Sequence, residues 1–200
     1  MRYDSRGSAA RFSDRLVDLF FLRRFGNGFS TLRQTCRSPR TAGMTVEAVR
    51  AFLSAHAPDL EVVELEASTA TVEMAARDHG VAPAQIAKTL SLRIKDRTLL
   101  VVTSGDARLN NRKIKDVLGG KPRMLTADEV VSLTGHPVGG VCPFGLATPL
   151  PVYCDVSLKE FDEVVPAAGS INSAVRIAPE RMAALVNAEW IDVCDRREPA

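Results

Sequence analysis

The sequence lacks most of the patterns by which chemical function can be read from a chain. Its four cysteines, Cys36, Cys142, Cys154 and Cys194, are scattered and form no C-x-x-C pair. That argues against a zinc ribbon and against a thioredoxin-type redox motif, and it suits a reducing, cytoplasmic setting. The three histidines, His56, His79 and His136, are dispersed as well. Neither a metal nor any other cofactor is expected. No apolar run approaches the roughly 18 residues of a membrane span, so no membrane partner is expected. G-x-G-x-x-G after a strand, G-x-x-x-x-G-K-[ST], H-E-x-x-H and G-x-S-x-G are all missing.

What is present is ordinary in bulk and uneven in distribution. Two hundred residues, 46% hydrophobic and 25% charged, fit one globular domain with an extension. The net charge of +2 hides a split. Residues 1–43 carry nine Arg and three Asp, with no Lys and no Glu, while the rest of the chain has 17 basic against 21 acidic residues. A domain at about −4 is not a general nucleic-acid binder, so contact with nucleic acid must be local, and DNA is not expected as a partner. Residues 1–43 read as a poorly ordered Arg-rich extension: a transit peptide, a disordered tail or an upstream start before Met44. The folded domain is expected over 44–195, with 196–200 as tail.

Helices and strands alternate through that domain. A helix runs from Thr45 and is closed by Pro58. Leu60–Glu66 reads as a strand, Thr71–His79 as a helix ended by Gly80, and Pro83–Ala87 as a helical turn. Lys88–Ile94 has period two, with Lys88, Leu90, Leu92 and Ile94 on one face. Thr98–Thr103 is its hairpin partner, buried on both faces. Asn110 caps a helix through Leu118, and Arg123–Leu125 is a short strand. Thr126–Glu129 is a capping box opening a helix to Thr134, and Ser157–Glu160 a second one. Glu163–Ala167 and Ala174–Ile177 are strands, Pro179 opens the last helix, and Trp190–Val193 closes the domain. Hairpins and crossovers together predict a mixed α/β sheet with helices around it, not a regular doubly wound array.

One stretch stands apart. Gly135–Gly145 holds four glycines and two prolines in eleven residues and leads to Leu150-Pro151-Val152 and Asp155. Such a loop exposes main-chain amides, which can form an oxyanion- or anion-binding nest. Lys88 shares the parity of the core leucines, so its ammonium either snorkels out at the sheet edge or lines a pocket.

The order of these features is specific: Lys88-Thr89-Leu90 opening a strand, Gly139-Gly140-Val141-Cys142-Pro143, the strand ending at Asp155, and Ala168-Gly169-Ser170. It resembles the YbaK/ProX family of freestanding aminoacyl-tRNA deacylases, related to the inserted editing domain of bacterial prolyl-tRNA synthetases. The resemblance covers about residues 44–195. It implies a single compact domain with a mixed, partly barrel-like sheet. It also implies trans-editing hydrolysis of the ester joining a wrong amino acid to tRNA, often tRNA for proline. The aminoacyl-tRNA acceptor end is the implied partner, with prolyl-tRNA synthetase as a further one.

By motif, Lys88 matches the family's functional lysine, Gly139 through Pro143 its G-x-x-x-P loop, and Asp155 its strand-end carboxylate. Gly169 and Ser170 match the late Gly-Ser loop. Lys88 and Asp155 are thereby the catalytic candidates; Gly139, Gly140, Val141, Cys142, Pro143, Gly169 and Ser170 are the substrate-binding ones. Loop amides would stabilise the oxyanion, Lys88 would add charge or orient the ribose or phosphate, and water would attack. Asp155 either holds Lys88 or the substrate amine, or caps the following turn. Position 142, often Ser in relatives, is Cys here. Residues 64–71 lack the Tyr/His-rich segment of the Cys-tRNA deacylase branch. Two rival readings are a non-catalytic module that holds a tRNA end or a synthetase, and a Cys142 thiol nucleophile served by His136.

Overall fold

The computed structural model describes residues 42–65 and 71–195, with side chains from Thr45 onward. Apart from Ala42 and Gly43, the expected extension lies outside the described residues, as does the tail 196–200. Helix α1 (Ala42–His56) buries Val49 and Leu53 on one face. After the two-residue strand β1 (Val63–Glu64) comes α2 (Val72–His79). The Thr71 hydroxyl caps α2 by accepting the Met74 amide at 3.2 Å. A 3₁₀ turn at Pro83–Gln85 feeds the long strand β2 (Ile86–Ile94), which folds back through Lys95-Asp96 into β3 (Arg97–Ser104). Then follow β4 (Arg108–Leu109), α3 (Asn111–Leu118), β5 (Pro122–Met124) and α4 (Ala127–Thr134). The expected Thr126–Glu129 capping box opens α4. Beyond the Gly/Pro loop lie β6 (Val152–Asp155), β7 (Val165–Pro166), β8 (Ser173–Ala174) and α5 (Pro179–Leu185). Strands β9 (Glu189–Ile191) and β10 (Cys194–Asp195) complete the described chain.

The main sheet is mixed, in the order β5-β2-β3-β6-β9, with β7 also paired to β2. It is open and not closed into a barrel. β2 runs antiparallel to β3 and β5, while β6 is parallel to both β3 and β9. β3 is buried on both faces, as its unbroken apolar run requires. Leu100 and Val102 join the core under α1, α4 and α5, and Leu99 and Val101 the core under α3.

Three expected strands are shorter than their apolar spans. Among the described residues, Leu60–Glu66 forms a strand only at Val63–Glu64, and Glu163–Ala167 forms a strand at Val165–Pro166 flanked by single bridges at Val164 and Ala167. Ala174–Ile177 contributes Ser173–Ala174, with single bridges at Val164–Ile177 and Ala167–Ala174. Side-chain bonds among Ser170, Asn172 and Ser173 shape the intervening turn and break the ladder there. The cap of the Val156–Glu160 turn is Asp155, not Ser157: the Asp155 carboxylate accepts the Ser157 amide at 3.0 Å.

One feature of the topology positions the site. On the edge away from β3, strand β2 pairs with β7 at Ile86 and Ala87 and with β5 from Leu92 to Ile94. Between them, among the described residues, Lys88–Ser91 have no strand beside them.

Candidate active site

A cavity of about 300 Å³ opens over that gap. Its floor is Ala87–Ser91 of β2. Val72, Ala75 and His79 of α2 form one wall; Val138, Gly139 and Val141 of the Gly/Pro loop, with Ser170, form another. The lining is largely apolar, and polar groups enter at few points, as in small-molecule sites generally.

The Gly/Pro loop and the Gly169-Ser170 loop are fitted to each other. Gly139 sits at φ +91° and Gly169 at φ +92°, backbone that favours glycine. A Cβ on Gly140 would lie 2.7 Å from the Ser170 Cα, so only glycine allows this approach. The Gly169 amide donates to the Gly140 carbonyl at 3.1 Å, and the Gly140 amide to Pro137 at 2.9 Å. The Gly140 amide is therefore committed to the turn. Among the described residues, the amides of Gly139 and Val141 make no hydrogen bond within the protein.

Of the residues singled out from the sequence, Lys88, Gly139, Val141 and Ser170 line this one cavity. Gly140, Cys142, Pro143 and Gly169 stand behind its surface and shape the loop. The Lys88 side chain lies on the same face as Leu90, but its ammonium turns to the Gly105–Ala107 bend. There it donates to the Gly105 carbonyl at 3.0 Å and to that of Ala107.

Asp155 is outside the cavity and buried. One carboxylate oxygen accepts the Ser157 amide and the other the Val193 amide at 2.8 Å. It ties the end of β6 to the last turn of the domain, which is the capping alternative of the two read from the sequence.

Cys142 is fully buried. Its sulfur lies 3.6 Å from His136 Nε2 and 3.6 Å from the Phe144 carbonyl. The Cys–His proximity anticipated for a nucleophile is present, but the chemistry is not. Burial pushes the thiol up to about 12, and the sulfur does not face the cavity. His136 is also wholly buried, and Nε2 sits 2.9 Å from the Phe144 carbonyl. A carbonyl only accepts, so Nε2 carries the proton, and among the described residues Nδ1 is left without a partner. Burial holds this imidazole below its ordinary value.

Polar residues of the cavity that escaped the sequence reading include His79, Thr89 and Ser91. His79 ends α2 and lines the wall; burial first, and Arg176 second, hold it below the ordinary histidine value, so it is neutral near pH 7. Thr89 and Ser91 line the floor, and among the described residues neither hydroxyl has a partner. Their signal was the polar face of β2, which resembles a solvent face in the sequence.

The protein is thus an α/β domain whose cavity lies over an interrupted sheet edge and is walled by a Gly/Pro loop. The aminoacyl-tRNA editing domain model matches residues 66–185, and the chain belongs to that family. It is 46% identical to the uncharacterised protein YwhH of Bacillus subtilis over 153 residues, covering 76% of this chain and 98% of YwhH. It is 36% identical over 105 residues to the proline–tRNA ligase of Solidesulfovibrio magneticus, covering 52% of this chain but 18% of that enzyme. A solved structure of a proposed trans-editing enzyme for prolyl-tRNA synthetase superimposes with a TM-score of 0.72 at 36% identity, covering 76% of this chain and 97% of that one.

Proposed function

We propose that this protein is a trans-editing hydrolase that cleaves the ester of mischarged aminoacyl-tRNA, of the tRNA-for-proline class. The observation that carries the reading is the pair of unbonded amides, Gly139 and Val141, on the wall of the cavity. Ester hydrolysis builds negative charge on the carbonyl oxygen, and preorganised amides in a water-poor site stabilise it. Family membership supports the substrate, and the likeness to a proposed trans-editing enzyme supports action on free tRNA.

In this mechanism the amino acid enters the cavity with its ester carbonyl toward Gly139 and Val141, and water attacks the carbonyl carbon. Lys88 adds positive charge at the cavity floor and fixes the Gly105–Ala107 bend. Cys142 and Pro143 hold the loop's shape from behind. Asp155 positions the strand end and does not touch substrate. Selectivity comes from cavity size, which discriminates weakly per methylene and suits an editing role.

A panel of tRNAs charged with Ala, Ser, Thr, Cys or Pro tests the reading: the full chain at catalytic concentration should release at least one of these amino acids over many turnovers. Stoichiometric protection of the ester without release would instead identify a non-catalytic tRNA-end or synthetase-binding module. One observation favours that second reading: the Lys88 ammonium is engaged by two carbonyls of its own chain.

A further inference from the structure

The interrupted edge of β2 leaves several polar groups of the cavity floor unsatisfied. The Ser91 carbonyl accepts the Leu125 amide at 3.1 Å, so the Ser91 main chain faces the β5 side. Main-chain direction repeats every second residue along a strand, which turns the N–H and C=O of Thr89 to the same side. There β7 has already ended, at the partner of Ala87, and β5 has not begun. Among the described residues, nothing hydrogen-bonds the Thr89 main chain from that side. Among the described residues, the buried Thr89 Oγ1 and Ser91 Oγ atoms have no partner, and Ser91 as a whole is 4% exposed. Both residues line the cavity. Native proteins satisfy nine-tenths or more of their buried polar groups, because a buried orphan forfeits the hydrogen bond it had to water. Two buried orphan hydroxyls and an unpaired stretch of main chain at Thr89, on alternate residues of one strand, point to a ligand that supplies the missing partners.

The chemistry of the set narrows the ligand. The Thr89 carbonyl and the two hydroxyls are three acceptors, and a primary ammonium has three donors. The Gly139 and Val141 amides on the loop wall can only donate, which suits a carbonyl oxygen. A molecule with a free α-ammonium beside an ester carbonyl matches both walls. We propose that the open edge of β2 at Thr89 and Ser91 is the subsite for the substrate's α-ammonium, so that the protein acts on free aminoacyl esters and rejects N-blocked ones. The Thr89 N–H then donates to an oxygen of the terminal ribose. This assignment rests on the function proposed above and adds a selectivity to it: N-formylated and peptidyl esters place an amide where an ammonium is required, and are spared.

The test uses the full chain and two acceptor-stem RNA hairpins. Each ends in a 3′-amino-3′-deoxyadenosine joined to alanine by a non-hydrolysable amide; in one the alanine amine is free, in the other acetylated. The free-amine RNA is expected to bind at least tenfold more tightly. Thr89→Val should weaken the free-amine RNA about five- to tenfold, leave the acetylated RNA unchanged, and leave Tm equal or higher, since an orphan hydroxyl is lost. Ser91→Ala should act in the same sense. Equal binding of the two RNAs, or a Thr89→Val loss that is the same for both, overturns the subsite. If that happens while the wild type still releases amino acid from charged tRNA, the subsite alone fails. Absence of both release and binding of either RNA overturns the proposed function and the subsite with it.

Discussion

The amide of Gly169 donates to the carbonyl of Gly140 across 3.1 Å, joining two loops that lie 29 residues apart in sequence into one wall. Gly140 has no room for a side chain, because a Cβ there would stand 2.7 Å from the Ser170 Cα and carbonyl carbon. Gly140→Ala is therefore expected to part the loops and misplace the neighbouring amides. Deacylation kcat/KM should fall by tenfold or more, about 1.4 kcal/mol of transition-state stabilisation. An Ala variant with normal turnover would separate the loop pair from catalysis.

Cys142→Ser is expected to keep activity within about threefold. Serine has nearly the shape of cysteine, and its hydroxyl can donate to the Phe144 carbonyl that the thiol now faces. Loss of turnover with an unchanged Tm would restore a chemical role for the sulfur.

Lys88→Ala is expected to lower kcat/KM by about 10²-fold, roughly 3 kcal/mol, if the ammonium supports developing charge. Lys88→Arg should not rescue it, since a guanidinium is larger and flatter than an ammonium and puts its charge elsewhere than the point between the Gly105 and Ala107 carbonyls. Steady-state kinetics on both variants, with Tm measured alongside, checks this. An Ala variant that loses only Tm would make Lys88 a brace for the bend and nothing more.

Stability should depend on pH through two buried imidazoles. Burial lowers both His79 and His136, so the unfolded chain takes up protons near pH 6.5 that the folded chain refuses. Folded stability is full above about pH 7 and declines as pH falls below about 6.5 toward the folded-state values. Tm should be lower at pH 5.5 than at pH 7.5. His136→Gln, which keeps a donor for Phe144 but does not titrate, should reduce that slope. A flat Tm across the interval would contradict the assignment.

Local rules made much of this fold legible. Asn110, Thr126 and Pro179 mark helix starts by chemistry that needs no tertiary context, and the period of Lys88–Ile94 fixes its faces. The mixed sheet followed from the alternation of hairpins and crossovers. The short strands were harder. Val165–Pro166 and Ser173–Ala174 are bounded by side-chain bonds of Ser170 and Ser173, which an apolar run does not reveal. At the site, the sequence brought out the loop by its glycines but not the direction of the Lys88 head, which is set by carbonyls 17 and 19 residues away. Nor could it single out Thr89 and Ser91, whose importance comes from where β7 stops and β5 starts.

Hydrolysis of aminoacyl esters in the cavity between β2 and the Gly139–Val141 loop must show as turnover that depends on the shape of that loop. The most direct measurement is the number of amino acids released per protein molecule from mischarged tRNA for proline, wild type against Gly140→Ala. The expected result is many turnovers for the wild type and a rate at least tenfold lower for the variant at equal folded concentration. Release that never exceeds one per molecule, or release that Gly140→Ala leaves untouched, would contradict it.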